Sequence, residues 1–81
     1  MITPQDAEIL RTLPRGFEST APVIAKNTGI SRTTVDRRLQ WLKGLGMIAD
    51  DGAHRGRRYK ATDEGIAARV AWLEANPWAR S

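Results

Sequence analysis

The stretch GISRTTVDRRLQWLKGLGMI, residues 29–48, carries the pattern that decides the fold. Ser31 stands where a helix needs a side-chain acceptor for its free amide groups. At about 100° per residue, Val35, Leu39, Leu42 and Leu45 define one stripe, which is the core-facing side of a helix expected over 32–45. Thr33, Arg37, Gln40 and Gly44 lie roughly opposite, and Arg32 and Arg38 flank the stripe on its two sides. Trp41 projects about 120° from the stripe. Gly46 closes the helix, and Met47-Ile48-Ala49 reads as a strand.

Upstream, Thr28-Gly29 is a sharp stop to a short helix that runs to about Asn27. Ser19 or Thr20 caps that helix, Pro22 sits in its first turn, and some of Val23, Ile24 and Ala25 supply its buried side. Residues 17–21, FESTA, form either a very short strand or a plain loop. Thr3-Pro4 starts the first helix, and Asp6 three residues on makes a weak capping box. Ile9, Leu10 and Leu13 share one face of it before Pro14-Arg15-Gly16 ends it. Downstream, Arg57 to Ala61 reads as a second strand, paired to the first through the turn-rich DDGAHRG. Strand alternation puts Arg57, Tyr59 and Ala61 on one face, with Tyr59 inward and Arg57 pulled partly over the core edge, and Arg58 and Lys60 on the other. Thr62-Asp63-Glu64 starts the last helix, about 63–76, with Ile66, Val70 and Leu73 inward and a short tail at 77–81.

Eighty-one residues are expected to form one domain over 1–81. No cysteine is present and the single histidine, His54, builds no metal site alone, so neither a metal nor a cofactor is expected. No apolar run approaches the ~20 residues that span a bilayer. The start MITPQDAEIL does not read as a signal peptide, so the expected location is cytoplasmic, away from any membrane. An enzyme is not expected, because no nucleophile, base and orienting group fall together and no glycine loop cradles phosphate. The net charge is +4, and it is segregated: residues 26–60 hold nine basic and three acidic side chains, while the flanks hold four and six. Such a concentrated field attracts a polyanion.

The expected class is mainly α with a small β-hairpin, in the order α-α-α-β-β-α. About four residues around Gly29 join helices two and three, so the plan is a helix-turn-helix followed by a hairpin. The segments VIAKNTGISRTTVDRRLQWLKGLGMI (23–48) and RGRRYKATDEG (55–65) resemble the winged helix-turn-helix domains of MarR- and ArsR-like transcription regulators. The likeness is greatest to small archaeal and viral repressor-like proteins of that superfamily, and it runs from about residue 6 to about 73. Ile30, Ser31, Val35, Leu39, Leu42, Gly46 and Ile48 occupy the positions that carry it.

The resemblance implies a sequence-specific binder of double-stranded DNA acting as a repressor, with helix 32–45 in the major groove and a wing at 50–60 on the backbone or minor groove. On the recognition helix the candidate contacts are Ser31, Arg32, Thr33, Thr34, Arg37 and Arg38, because arginine pairs bidentately with guanine and threonine meets base edges. Ser31 either caps the helix or holds a phosphate on the free amides, and the two roles are compatible. On the wing the candidates are His54, Arg55, Arg57 and Arg58, with phosphate contact favoured over base contact. Lys26 and Gln40 are weaker candidates for the backbone, and Asp50 and Asp51 at the wing base repel phosphate and set its angle. Three tryptophans invite a homodimer through the first and last helices, with Trp72 and Trp78 in the interface; the alternative has Trp78 folding back over its own core. Relatives that bind effectors are longer, so no small-molecule effector is expected. A winged-helix protein-interaction module without nucleic acid is the competing class. RNA is a third option, for which the aromatic stacking platform is missing.

Overall fold

The structure is a computed structural model and describes residues 2–80, so Met1 and the last residue of the expected tail, Ser81, lie outside it. In chain order it holds α1 (Pro4–Arg11), β1 (Ser19–Thr20), α2 (Ala21–Thr28), α3 (Arg32–Gly44), β2 (Ile48–Asp50), β3 (Arg58–Ala61), α4 (Asp63–Ala75) and a 3-10 turn, Pro77–Arg80. The three strands form one antiparallel sheet in the order β1-β3-β2. FESTA therefore contributes a strand: Ser19 stands opposite Tyr59 and Thr20 opposite Arg58. On the other side of β3, Ile48 pairs with Ala61 and Asp50 with Tyr59. No helix among the described residues is long and apolar enough to cross a membrane.

The turn between α2 and α3 is held by local polar groups. Gly29 takes φ 73°, the left-handed conformation that glycine adopts without steric cost, and its amide donates to the Ala25 carbonyl at 2.9 Å. The Thr28 hydroxyl donates to the Ile24 carbonyl at 2.8 Å and accepts from the Ile30 amide at 3.2 Å. Thr20 occupies the position before α2 but makes no side-chain cap. Ile9, Leu13, Ile24, Val35, Leu39 and Leu42 are sealed from solvent and form the core, with Ile48 and Tyr59 closing it from the sheet. Leu45, expected in the stripe of α3, is instead half exposed. The helix ends at Gly44, and at 100° per residue Leu45 has already rotated about 80° from Val35.

One charged residue lies within this core. Asp6 shares the inner face of α1 with Ile9 and Leu10 and has no solvent exposure. It completes a full capping box: its carboxylate accepts from the Thr3 amide at 2.9 Å while its own amide donates to the Thr3 hydroxyl at 3.2 Å. Arg38, on α3, closes a fork on the same carboxylate, Nε to Oδ1 at 2.7 Å and Nη2 to Oδ2 at 2.6 Å. Burial opposes ionisation of Asp6, but the Arg38 hydrogen bonds, with those from Thr3, outweigh it and hold the carboxyl below its usual range.

The last helix is fixed to the start of the hairpin. Thr62 caps α4, its hydroxyl donates to the Gly46 carbonyl at 2.6 Å, and its amide donates to the Met47 carbonyl at 3.0 Å. Gly65 lies against that same Met47 carbonyl, and any Cβ there would collide with it. At the far end Trp72 meets Trp78 edge to face, ring centroids 5.8 Å apart. Trp72 is half-buried against the core, whereas Trp78 stays 68% exposed.

Both contacts can be probed through stability. Asp6→Ala leaves Arg38 without its partner and is expected to cost about 3 kcal/mol in urea denaturation. Because the folded carboxyl lies below its unfolded value of about 3.9, its contribution is present above that pH and is lost as pH falls through the folded value. Asp6→Asn should flatten that acid limb of the stability curve. Gly65→Ala forces α4 off the Met47 carbonyl and should cost about 2 kcal/mol or more, read in the same assay.

Candidate nucleic-acid interface

The outward side of α3 is bare. Thr33, Arg37 and Gln40 are exposed, and Arg37 takes part in none of the ion pairs among the described residues. Ser31 caps the helix, accepting from the Thr34 amide at 3.3 Å, and its hydroxyl meets that of Thr34 at 3.0 Å. Arg32 Nε donates to Asp36 Oδ1 at 3.1 Å, one helical turn on, with both side chains about half exposed.

The two edges of this helix differ. Along one edge Arg38 turns inward to Asp6, and its guanidinium lies 4.2 Å from the centroid of the Trp41 ring. Only 19% of the Arg38 side chain is exposed. Arg38 was expected to contact DNA; its charge is instead spent within the fold, because the carboxylate buried in α1 requires a cation. Along the other edge, Arg32, Asp36 and Lys43 face the β2–β3 hairpin. Lys43 Nζ lies 2.8 Å from Asp50 Oδ2, and Arg57 Nη1 approaches the same oxygen at 3.8 Å. The Lys43 hydrogen bond, against partial desolvation and with help from the Gly52 amide, holds the Asp50 carboxyl below its usual range. Arg57 Nε also donates to the Ala53 carbonyl at 2.9 Å. Arg57, expected as a wing contact drawn partly over the core edge, is a half-buried brace of the hairpin turn.

Asp50 and Asp51 build that turn as well. Asp50 Oδ1 accepts from the Gly52 amide at 2.9 Å, and Asp51 Oδ1 accepts from the amides of Ala53 at 3.0 Å and Arg58 at 3.3 Å. The backbone hydrogen bond from Ala53, with that from Arg58, overcomes partial desolvation and lowers the Asp51 carboxyl too. His54, Arg55, Arg58 and Lys60 remain exposed. A crevice of about 330 Å³ separates hairpin and helix, lined by Thr20, Pro22, Arg32, Asp36, His54 and Arg57 among others. The hairpin turn therefore stands beside the amino-terminal half of α3.

Three helices, a short second-to-third helix turn and a basic hairpin set beside the third helix form one recognisable arrangement. The chain is a winged helix-turn-helix. Solved structures share the arrangement. Bordetella bronchiseptica BpsR, described in the mechanism for regulation of its DNA binding by 6-hydroxynicotinic acid, superposes with a TM-score of 0.83 at 22% identity, covering 98% of this chain and 56% of that one. A cysteine-to-serine mutant of Lactococcus lactis ZitR, in complex with DNA, gives 0.75 at 22% identity, covering 99% and 57%. A MarR family transcriptional regulator from Silicibacter pomeroyi DSS-3 gives 0.75 at 16% identity, covering 91% and 54%. The chain thus spans a little over half the length of these structures. No protein-family model matches the sequence, and no curated protein matches it significantly.

In winged-helix terms, the recognition helix α3 keeps Ser31, Arg32, Thr33, Arg37 and Gln40 at the surface, while Thr34 is half-buried beneath the Ser31 cap. The wing keeps His54, Arg55 and Arg58, and Lys26 is exposed in the last turn of α2. Sequence reasoning left Lys60 out of the contact set, although strand alternation had already placed it outward beside Arg58. It also left out the Lys43–Asp50 link between recognition helix and wing, whose signal was an acid at the wing base opposite a lysine in the last turn of α3. Among the described residues no group of three or more His, Cys, Asp or Glu side chains is placed to hold a metal.

Removing this link should loosen the wing without unfolding the helices. Asp50→Ala is expected to speed amide hydrogen exchange at Gly52 and Ala53 while the amides of Leu39 and Leu42 keep their protection.

Proposed function

We propose that this chain binds double-stranded DNA in a sequence-dependent way and regulates transcription, acting as a repressor by occupying a promoter. The observation that carries the reading is the uncovered outward side of α3, where Thr33, Arg37 and Gln40 stand exposed next to a basic wing. A helix of this kind fits the major groove, and arginine and threonine there meet base edges. The charge supports it. Of the nine basic residues between 26 and 60, Arg38, Lys43 and Arg57 are tied to buried or nearly buried acids and Arg32 is shared with Asp36. Lys26, Arg37, Arg55, Arg58 and Lys60 remain exposed and outside these pairs, available to phosphate or base.

Ser31 holds the helix start, where phosphate meets free amides; Arg37, Arg32 and Thr33 face base edges; His54, Arg55 and Arg58 track the backbone. Lys26 and Gln40 support them. A homodimer through α1 and α4 would place two recognition helices on neighbouring half-sites. Trp72 and the exposed Trp78 mark that surface, whereas Val70, expected inward, is 46% exposed on the other side of α4. The folded-back alternative for Trp78 accounts for its contact with Trp72 but leaves most of the ring in water. We place the protein in the cytoplasm and assign it no catalytic role. The regulation of BpsR by 6-hydroxynicotinic acid stands against the expectation that no effector acts. Exposed Trp41 favours the competing reading as a protein-interaction module; the Arg38 guanidinium lies over its ring, 4.2 Å from the centroid, and the residue stays 39% exposed.

Selection of bound fragments from random duplex DNA, followed by titration of the selected site, tests the proposal. Binding should fall steeply with salt. Arg37→Ala should relax base preference and cost about 1–3 kcal/mol on the selected site. Arg55→Ala should weaken all sequences alike and reduce the salt slope by about one. Unchanged affinity and preference in Arg37→Ala would reject the assignment.

A further inference from the structure

Asp36 is the one acid on the exposed part of α3, and a carboxylate is costly on a surface meant for phosphate. It is not there to hold the fold: it is half exposed, and its partner is Arg32, itself exposed. It lines the crevice between recognition helix and wing together with Arg32, His54 and Arg57. The pair uses one hydrogen bond, Arg32 Nε to Asp36 Oδ1 at 3.1 Å. That bond leaves the two terminal amines of the guanidinium, the fork that meets guanine, outside the contact. It leaves the second carboxylate oxygen outside it as well.

Resting on the DNA-binding reading, we infer that Asp36 is a specificity-determining residue that withholds Arg32 from arbitrary phosphates and releases it only onto a matching base edge. Three effects act together. The carboxylate repels phosphate in any misaligned docking. It ties Arg32 along the helix, so that the arginine does not swing to the backbone. In the aligned complex its free oxygen accepts from a cytosine amino group while the Arg32 fork faces a guanine. Discrimination therefore arises from weakened binding to wrong sequences as much as from contacts to the right one.

The test compares the wild type, Asp36→Ala, Asp36→Asn and the double variant Arg32→Ala/Asp36→Ala. Each is titrated against a mixed-sequence duplex and against the selected duplex at several salt concentrations. Circular dichroism should show all four folded, since both side chains are exposed. Asp36→Ala and Asp36→Asn are expected to bind the mixed duplex about fivefold tighter, the size of one unit charge at contact distance in water. The salt slope should steepen by about one as Arg32 becomes a phosphate contact. The ratio of selected to mixed affinity should narrow, and the double variant should lose the gain. Mixed-duplex affinity and slope unchanged in Asp36→Ala would overturn the inference while leaving DNA binding intact. A double variant that keeps the full gain would overturn the role of Arg32. A wild type that binds neither duplex removes the DNA reading and this inference with it.

Discussion

The buried ion pair between Asp6 and Arg38 governs how α1 meets α3. A carboxylate placed in the core stripe of one helix needs donors on every side, and here Thr3 supplies one and the Arg38 guanidinium two. The fork is planar and directional, so it fixes the position of α3 along α1 more tightly than aliphatic packing of Ile9, Leu10 and Leu39 would. Removing one member leaves a charge uncompensated, and for this reason the pair reads as a register device rather than a source of net stability. The sealed stripe of Val35, Leu39 and Leu42 sets which side of α3 faces out, and the pair agrees with it. Arg37, the preceding residue, lies about 100° further round the helix, on the outward side.

A second polar junction works on the other edge. Lys43, Asp50 and Arg57 connect the end of the recognition helix to the hairpin, and the hairpin turn is itself knitted by Asp50, Asp51 and Arg57. The positively charged middle of the chain thus divides into two populations. One set of cations meets acids and builds the scaffold. The other projects from it, and the scaffold fixes where.

Most of the fold was legible because its signals are local. Thr3-Pro4, Thr28-Gly29, Ser31 and Thr62 are caps and stops whose chemistry acts within four residues, and the periodicity of α3 marks Val35, Leu39 and Leu42 as core. What stayed hidden depends on distant partners. Arg38 and Arg32 look equivalent in sequence, each flanking the stripe; only the arrival of α1 with Asp6 separates them. Strand alternation already drew Arg57 toward the core edge, but its partners Asp50 and Ala53 appear only in the fold. One clue was present: Asp6 stands three and four residues before Ile9 and Leu10, on the apolar face, where a carboxylate demands a buried cation. The strand at Ser19–Thr20 remained open because two residues carry no periodicity, and it exists through pairing with β3. The outward placement of Thr33 and Arg37 was legible from angle counting alone.

The seating of α4 has a mechanical consequence. Thr62 and Gly65 press the first turn of this helix onto the backbone at Gly46 and Met47, where the recognition helix ends and the hairpin begins. There is no compliant side chain between them at the Gly65 contact. Thirteen residues make a rod about 20 Å long, seated at that point and packed on α1, with Trp72 still against the core near its other end. Because backbone meets backbone at that seat, the first turn of α4 and the helix–hairpin junction can shift only together.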